Sequence, residues 1–166
     1  KLVESLQISN DSIKFFHVYK NKIYILLDSE KNALIIYAYD KNMTLSLASE
    51  INLFGSGNCL DVSLDESFAI IGSDFGLEII DLKQNPISIA ISFDLPGVSD
   101  IRLFPNQKFI LVSVSSNLLI YNIENNLNLF KVTEELTLKS IIKKSYFADN
   151  EEFFFALNED INIIKN

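Results

Sequence analysis

With 166 residues, 48% of them hydrophobic and 22% charged, the chain is long enough for one domain or one compact repeat array with its own core, and long disordered tracts are not expected. A formal net charge of −8, with 14 basic residues scattered along the sequence, argues against nucleic-acid binding, which needs a basic patch to displace counterions from phosphate. The single cysteine, Cys59, excludes an intrachain disulfide and the cysteine-rich zinc motifs, and the longest apolar run, Ala33 to Tyr39, falls far short of the ~20 residues a membrane-spanning helix needs, so no membrane insertion is expected.

In chain order, Lys1 to Ser9 (KLVESLQIS) alternates apolar and polar residues as an outer strand does. A first unit, about residues 13–54, follows with the apolar runs Ile23-Tyr24-Ile25-Leu26 and Leu34-Ile35-Ile36-Tyr37. The second unit, about 58–95, reads as four strands: Leu60 to Ser63, Phe68 to Gly72, Leu77 to Leu82, and an alternating strand through Ile87, Ile89 and Ile91 after Pro86. The third unit, about 98–135, repeats the pattern with Phe109 to Val112 and Leu118 to Tyr121, and the fourth, about 142–166, with Phe153 to Ala156 and Ile161 to Ile164. The first runs of the four units start 45, 41 and 44 residues apart and the second runs 43, 41 and 43 apart. Two independent ladders thus agree on one period, in the range of propeller blades. Nearly continuous apolar runs in the middle strands suit sheets buried on both faces. Thr133 to Lys144 is the only stretch that reads as a helix, with a charged loop between units equally open.

The expected fold is therefore all-β: a β-propeller built from four four-stranded blades of roughly 42 residues, either a closed four-bladed ring or part of a larger one. A β-sandwich also has many short strands, but it does not call for four copies of one unit. In a self-closed ring, residues 1–10 would supply the outer strand that the last unit lacks, removing two exposed sheet edges.

Leu77-Glu78-Ile79-Ile80-Asp81-Leu82, followed by Asn85-Pro86, resembles the LVIVD-type propeller repeat. Ile101 to Phe109 (IRLFPNQKF) is similar to the turn joining the first two strands of WD40-like blades, and Leu60 to Phe68 and Ser145 to Phe153 fall on the same template. The first unit fits poorly at its turn, Tyr19 to Lys22, and the Gly-His and Trp-Asp signatures of true WD40 repeats are absent. The resemblance implies protein interaction or scaffolding, and leans towards a secreted or cell-surface setting, although the compartment stays open.

No catalytic, cofactor-binding or metal-ligating set emerges. His17, flanked by Phe15, Phe16 and Val18, reads as a packed histidine rather than half of a catalytic pair. Cys59 has neither the base nor the positive setting of a nucleophile. Gly55 to Asn58 lacks the Lys-Ser/Thr of a phosphate loop and reads as a link between units. The loop carboxylates, among them Asp28, Asp61, Asp65, Asp74 and Asp100, lack calcium-loop spacing, so solvated turns come first and a loosely held divalent cation second.

In a propeller, the loops between second and third strands emerge on the same face as those joining one blade to the next. Phe54, Asp74, Phe75, Asp100, Asn117 and Asp160 fall on these loops and are the expected partner-binding residues. A non-enzymatic interaction module, docking a protein partner or self-associating, is the first expectation. A small-ligand, cation-binding or enzyme domain with a site at the channel mouth is the second.

Overall fold

The computed structural model describes residues 12–28, 32–123, 127–131, 136–138, 141–147, 153–157 and 160–164; the side chains of 130, 146, 147, 153–157 and 160–164 are outside the description. Every regular element among the described residues is a β-strand, in consecutive antiparallel sheets. The first sheet has the order β1 (Ser12–Tyr19), β2 (Lys22–Asp28), β3 (Ala33–Tyr39), β4 (Leu45–Asn52). The second follows as β5 (Gly57–Val62), β6 (Phe68–Ser73), β7 (Gly76–Asp81), β8 (Ser88–Asp94), with burial alternating along β8 as its sequence requires. In the third, β9 (Val98–Leu103), β10 (Phe109–Val114), β11 (Asn117–Ile123) and β12 (Leu129–Lys131) run in order, and β13 (Leu136–Thr137) also pairs with β11. The fourth contains β14 (Ile142–Phe147), β15 (Phe153–Leu157) and β16 (Asp160–Ile164). Residues 1–10, expected as an outer strand, lie outside the described residues. Where Thr133 to Lys144 is described, the chain is extended rather than helical, with β13 and the start of β14 falling in it. Leu136 pairs with β11, and Leu138 and Ile142 pack on the third sheet.

The turns show why the second and third units resemble each other most. After β5, Ser63 N–H donates to Phe68 O and Glu66 N–H to Ser63 O; after β9, Phe104 N–H donates to Phe109 O and Gln107 N–H to Phe104 O. Glu66 (φ 55°) and Gln107 (φ 60°) occupy the same left-handed position. One residue earlier, Asp65 Oδ1 accepts from Ser67 N–H at 3.0 Å and Asn106 Oδ1 from Lys108 N–H at 2.9 Å. Short polar side chains cap the backbone two residues on, the standard use of Asp and Asn in turns. The first unit instead turns through Lys20 and Asn21 alone, since Tyr19 pairs directly with Lys22.

Alternate residues of one strand feed opposite interfaces. On β6, Ala69 and Ile71 join Tyr24, Leu26, Leu34 and Ile36 of the first sheet, while Phe68 and Ile70 join Ile101, Ile110, Val112 and Tyr121 of the third. Phe104, Leu111 and Leu118 then meet Ile142 of β14. Each fully buried Leu or Ile contributes about 1.5–3 kcal/mol, whereas an exposed ion pair gives about 0–1 kcal/mol. The inter-sheet layers therefore dominate over contacts such as Lys83–Asp65 at 3.6 Å.

The first strands β1, β5, β9 and β14 lie side by side and are stitched by side chains. Asp61 Oδ2 accepts from Leu103 N–H at 2.8 Å, and Asp100 Oδ2 from both Ser145 N–H and Ser145 Oγ–H at 2.7 Å. Tyr19 Oη–H donates to Leu64 O, and Leu64 N–H to Gln107 Oε1, each at 3.0 Å. The carboxylates, read as loop residues in the sequence, in fact satisfy amide donors on the next sheet.

Candidate functional site

At the end of β5 where the chain arrives from the first sheet, the β4–β5 link, the β6–β7 turn and the end of β8 come together around a cleft of about 330 Å³. Ser73 organises the turn: its Oγ accepts from Phe75 N–H at 3.3 Å and Gly76 N–H at 3.2 Å. With its backbone held this way, Phe75 projects outward and is 67% exposed; Phe54, on the facing link, is 66% exposed. Gly55 keeps the two segments close, because a Cβ there would lie 2.5 Å from Phe75 Cδ2. Both phenylalanines line the cleft, together with Glu78, Ser92, Phe93 and Asp94.

Glu78 is the unusual member. It lies in the middle of β7, pairs with Ser92, and is 2% exposed. Its Oε2 accepts from Phe54 N–H at 3.1 Å and its carboxylate also binds the Gly55 amide, which fixes the link bearing Phe54. Its Oε1 has no hydrogen-bond partner in the structure. Burial pushes its carboxyl above the ordinary range, and the two amide donors pull it back in part.

The structure brings Phe54 and Phe75 together at the cleft, with Asp74 beside it, and places Asp100 and Asn117 in strands of the third sheet. Asp74 is exposed beside the cleft and accepts from Asn58 Nδ2 at 2.8 Å. Asp100 is a correction: it is 2% exposed on β9, where its carboxylate is committed to Ser145. Asn117 begins β11, half-buried in the third sheet. Asp160 begins β16 and its side chain lies outside the described residues. The β4–β5 link is also shorter than expected, since Gly57 and Asn58 already belong to β5. Glu78 and Phe93 were missed as cleft residues. An acid inside the apolar run Leu77 to Ile80 was the available signal.

At the opposite end of β5, His17, Tyr19, Asp61, Leu64, Pro105 and Gln107 line a second cleft of about 300 Å³. His17 is half-buried rather than packed away. Burial lowers its pKa, while the nearby Asp61 charge raises it and Arg102 lowers it. Burial raises the Asp61 pKa against the pull of the Leu103 and Val62 amides. Cys59 is buried as expected, and burial drives its thiol far up, leaving it protonated. Among the described residues, no three His, Cys, Asp or Glu side chains group as metal ligands.

The sequence matches no family model and no curated protein. Solved structures do match. A functionally unknown protein from Desulfotomaculum acetoxidans DSM 771 is 15% identical with a TM-score of 0.75, over 96% of this chain and 57% of that one. A protein from Lactobacillus plantarum is 14% identical with a TM-score of 0.75, over 92% of this chain and 50% of its own. A putative 6-phosphogluconolactonase from Bacteroides fragilis NCTC 9343 is 13% identical with a TM-score of 0.72, over 92% and 50%. The chain thus spans about half the length of the solved structures it matches. At such identities the likeness shows the fold alone: an all-β succession of antiparallel sheets.

Proposed function

We propose that this chain is a run of β-propeller blades that acts as a non-enzymatic interaction module, presenting the Phe54–Phe75 face to a protein partner. The observation behind this is the pair of phenylalanines, each about two-thirds exposed, at the rim of one cleft. Exposing two large aromatic side chains together wastes burial, and aromatic anchors set around a pocket are what interfaces use. The rigid sheet edges and the Ser73-bound turn hold the anchors in place, so little ordering entropy is lost on docking. Superposition of nearly the whole chain on about half of longer chains supports an arc of a larger ring over a closed ring of four. In this reading the LVIVD-like features of the second unit belong to the same repeat architecture.

Peptides selected from a random library against the chain test the face. Their binding is expected to weaken at least about tenfold in Phe54→Ala/Phe75→Ala, as loss of a hot spot of ~2 kcal/mol implies. The thermal midpoint should hardly move, because both rings are exposed. Peptides that bind the double variant as well as the parent overturn the reading.

The second reading is an enzyme or small-ligand domain, and what favours it is the second cleft with His17 and Asp61, together with one similar structure named as a putative 6-phosphogluconolactonase. Turnover of 6-phosphogluconolactone that disappears in His17→Ala would put this reading first.

A further inference from the structure

Building on the docking face just proposed, we infer that its cleft receives a lysine side chain of the partner, the ammonium bonded to Glu78 Oε1 and flanked by the Phe54 and Phe75 rings. Three features converge on a cation. The lining includes the carboxylates of Glu78 and Asp94 and no Lys, Arg or His. Glu78 is 2% exposed and Oε1 is an orphan acceptor, so a buried site stands ready for one donor. The rim is aromatic, and ring faces attract cations, the more so once desolvated.

The choice of ammonium over guanidinium follows from the carboxylate's bonding. Oε2 accepts from the Phe54 amide and the carboxylate also binds the Gly55 amide, so Oε1 is the oxygen without a partner. A guanidinium gains its advantage by gripping two oxygens at once, whereas an ammonium is a point charge satisfied by one strong acceptor and the surrounding field. The long apolar stem of lysine suits the exposed Phe54 and Phe75 rings at the rim. The formal charge of −8 on the chain favours a basic partner over an acidic one. A bound cation also offsets the burial that raises the Glu78 pKa.

The test is a titration of the chain at neutral pH with N-acetyl-lysine N-methylamide, followed through the backbone amide resonances of Phe54 and Gly55. N-acetyl-arginine N-methylamide and the uncharged norleucine analogue serve as comparisons. Saturable shifts with the lysine compound are expected, with binding at least several-fold weaker for arginine and weaker still for norleucine. In Glu78→Gln the lysine affinity should fall about tenfold or more, the loss of one charge-assisted hydrogen bond. If that variant perturbs amides across the whole spectrum, Phe75→Ala replaces it, with a several-fold loss expected from removal of one ring face. Equal binding of lysine and norleucine, no saturable shift, or full lysine affinity in the variant used overturns the inference. The docking face survives that failure if selected peptides still lose affinity in Phe54→Ala/Phe75→Ala. Conversely, lysine binding at Glu78 with indifferent peptides leaves an amine site and removes the docking face.

Discussion

Asp100→Ala is expected to lower folding stability by about 3 kcal/mol, by far more than its sequence context suggests. Each of the two Ser145 donors it serves, the backbone N–H and the hydroxyl, sits 2.7 Å from Oδ2 in a buried setting. Stripping the acceptor leaves both without a bond, at about 1–3 kcal/mol for each buried group. Arg102 also loses the Oδ1 oxygen at 3.5 Å, although its Nε–H still donates to Ser145 O. Ser145→Ala removes only one of the two bonds and should cost about 1 kcal/mol. Asp100→Asn, which keeps an acceptor, should fall between them. Urea unfolding of the three variants gives the comparison. A loss below about 1 kcal/mol for Asp100→Ala would mean that apolar packing alone joins the third and fourth sheets.

Gly76→Ala is the second large effect, expected to cost about 3 kcal/mol and to weaken whatever the cleft binds. Gly76 opens β7 opposite Asp94, with φ +150°, a conformation that side chains resist. A Cβ would stand 2.0 Å from Phe93 O and 2.7 Å from Leu95 N, both backbone atoms. Neither can rotate away, so the end of β8 must shift, adding overpacking of about 1–3 kcal/mol to backbone strain of similar size. Phe93 and Asp94 line the cleft, so the damage reaches the site as well as the fold. Gly97→Ala is the matching control. Its φ of +80° is also left-handed, but nothing lies within 4 Å of the added methyl, so only about 1–2 kcal/mol of strain remains. Thermal unfolding that ranks the two glycines equally would contradict the clash.

Periodicity made the strand succession legible before any coordinates. The paired ladders led by Ile23, Phe68, Phe109 and Phe153 fall in β2, β6, β10 and β15, each in the second position of its sheet. The likeness of Leu64-Asp65-Glu66-Ser67 to Pro105-Asn106-Gln107-Lys108 was likewise physical, since both stretches form the same capped turn. Phe54 and Phe75 could be placed together because topology puts those links at one end of the sheets. What sequence could not supply was the destination of a polar side chain. Asp100 follows a glycine-containing link and so reads as surface, yet the inter-sheet register points it at Ser145. Asp61 was misread for the same reason, its partner Leu103 lying on another sheet. Glu78 was hidden by its apolar neighbours, and its meaning depends on which of its oxygens finds a donor. Thr133 to Lys144 shows the local side of the problem: Leu136 and Ile142 form strands because β11 and the third sheet are there to receive them.

The most direct test of the docking face is the amide hydrogen-exchange footprint of a library-selected peptide on the intact chain. Slowed exchange is expected at residues 53–56 and 73–76 and at the end of β8, with the turns at 19–22, 64–67 and 105–108 unchanged. Protection confined to those turns, at the far end of β5, would contradict the account and move the functional site to the cleft of His17 and Asp61.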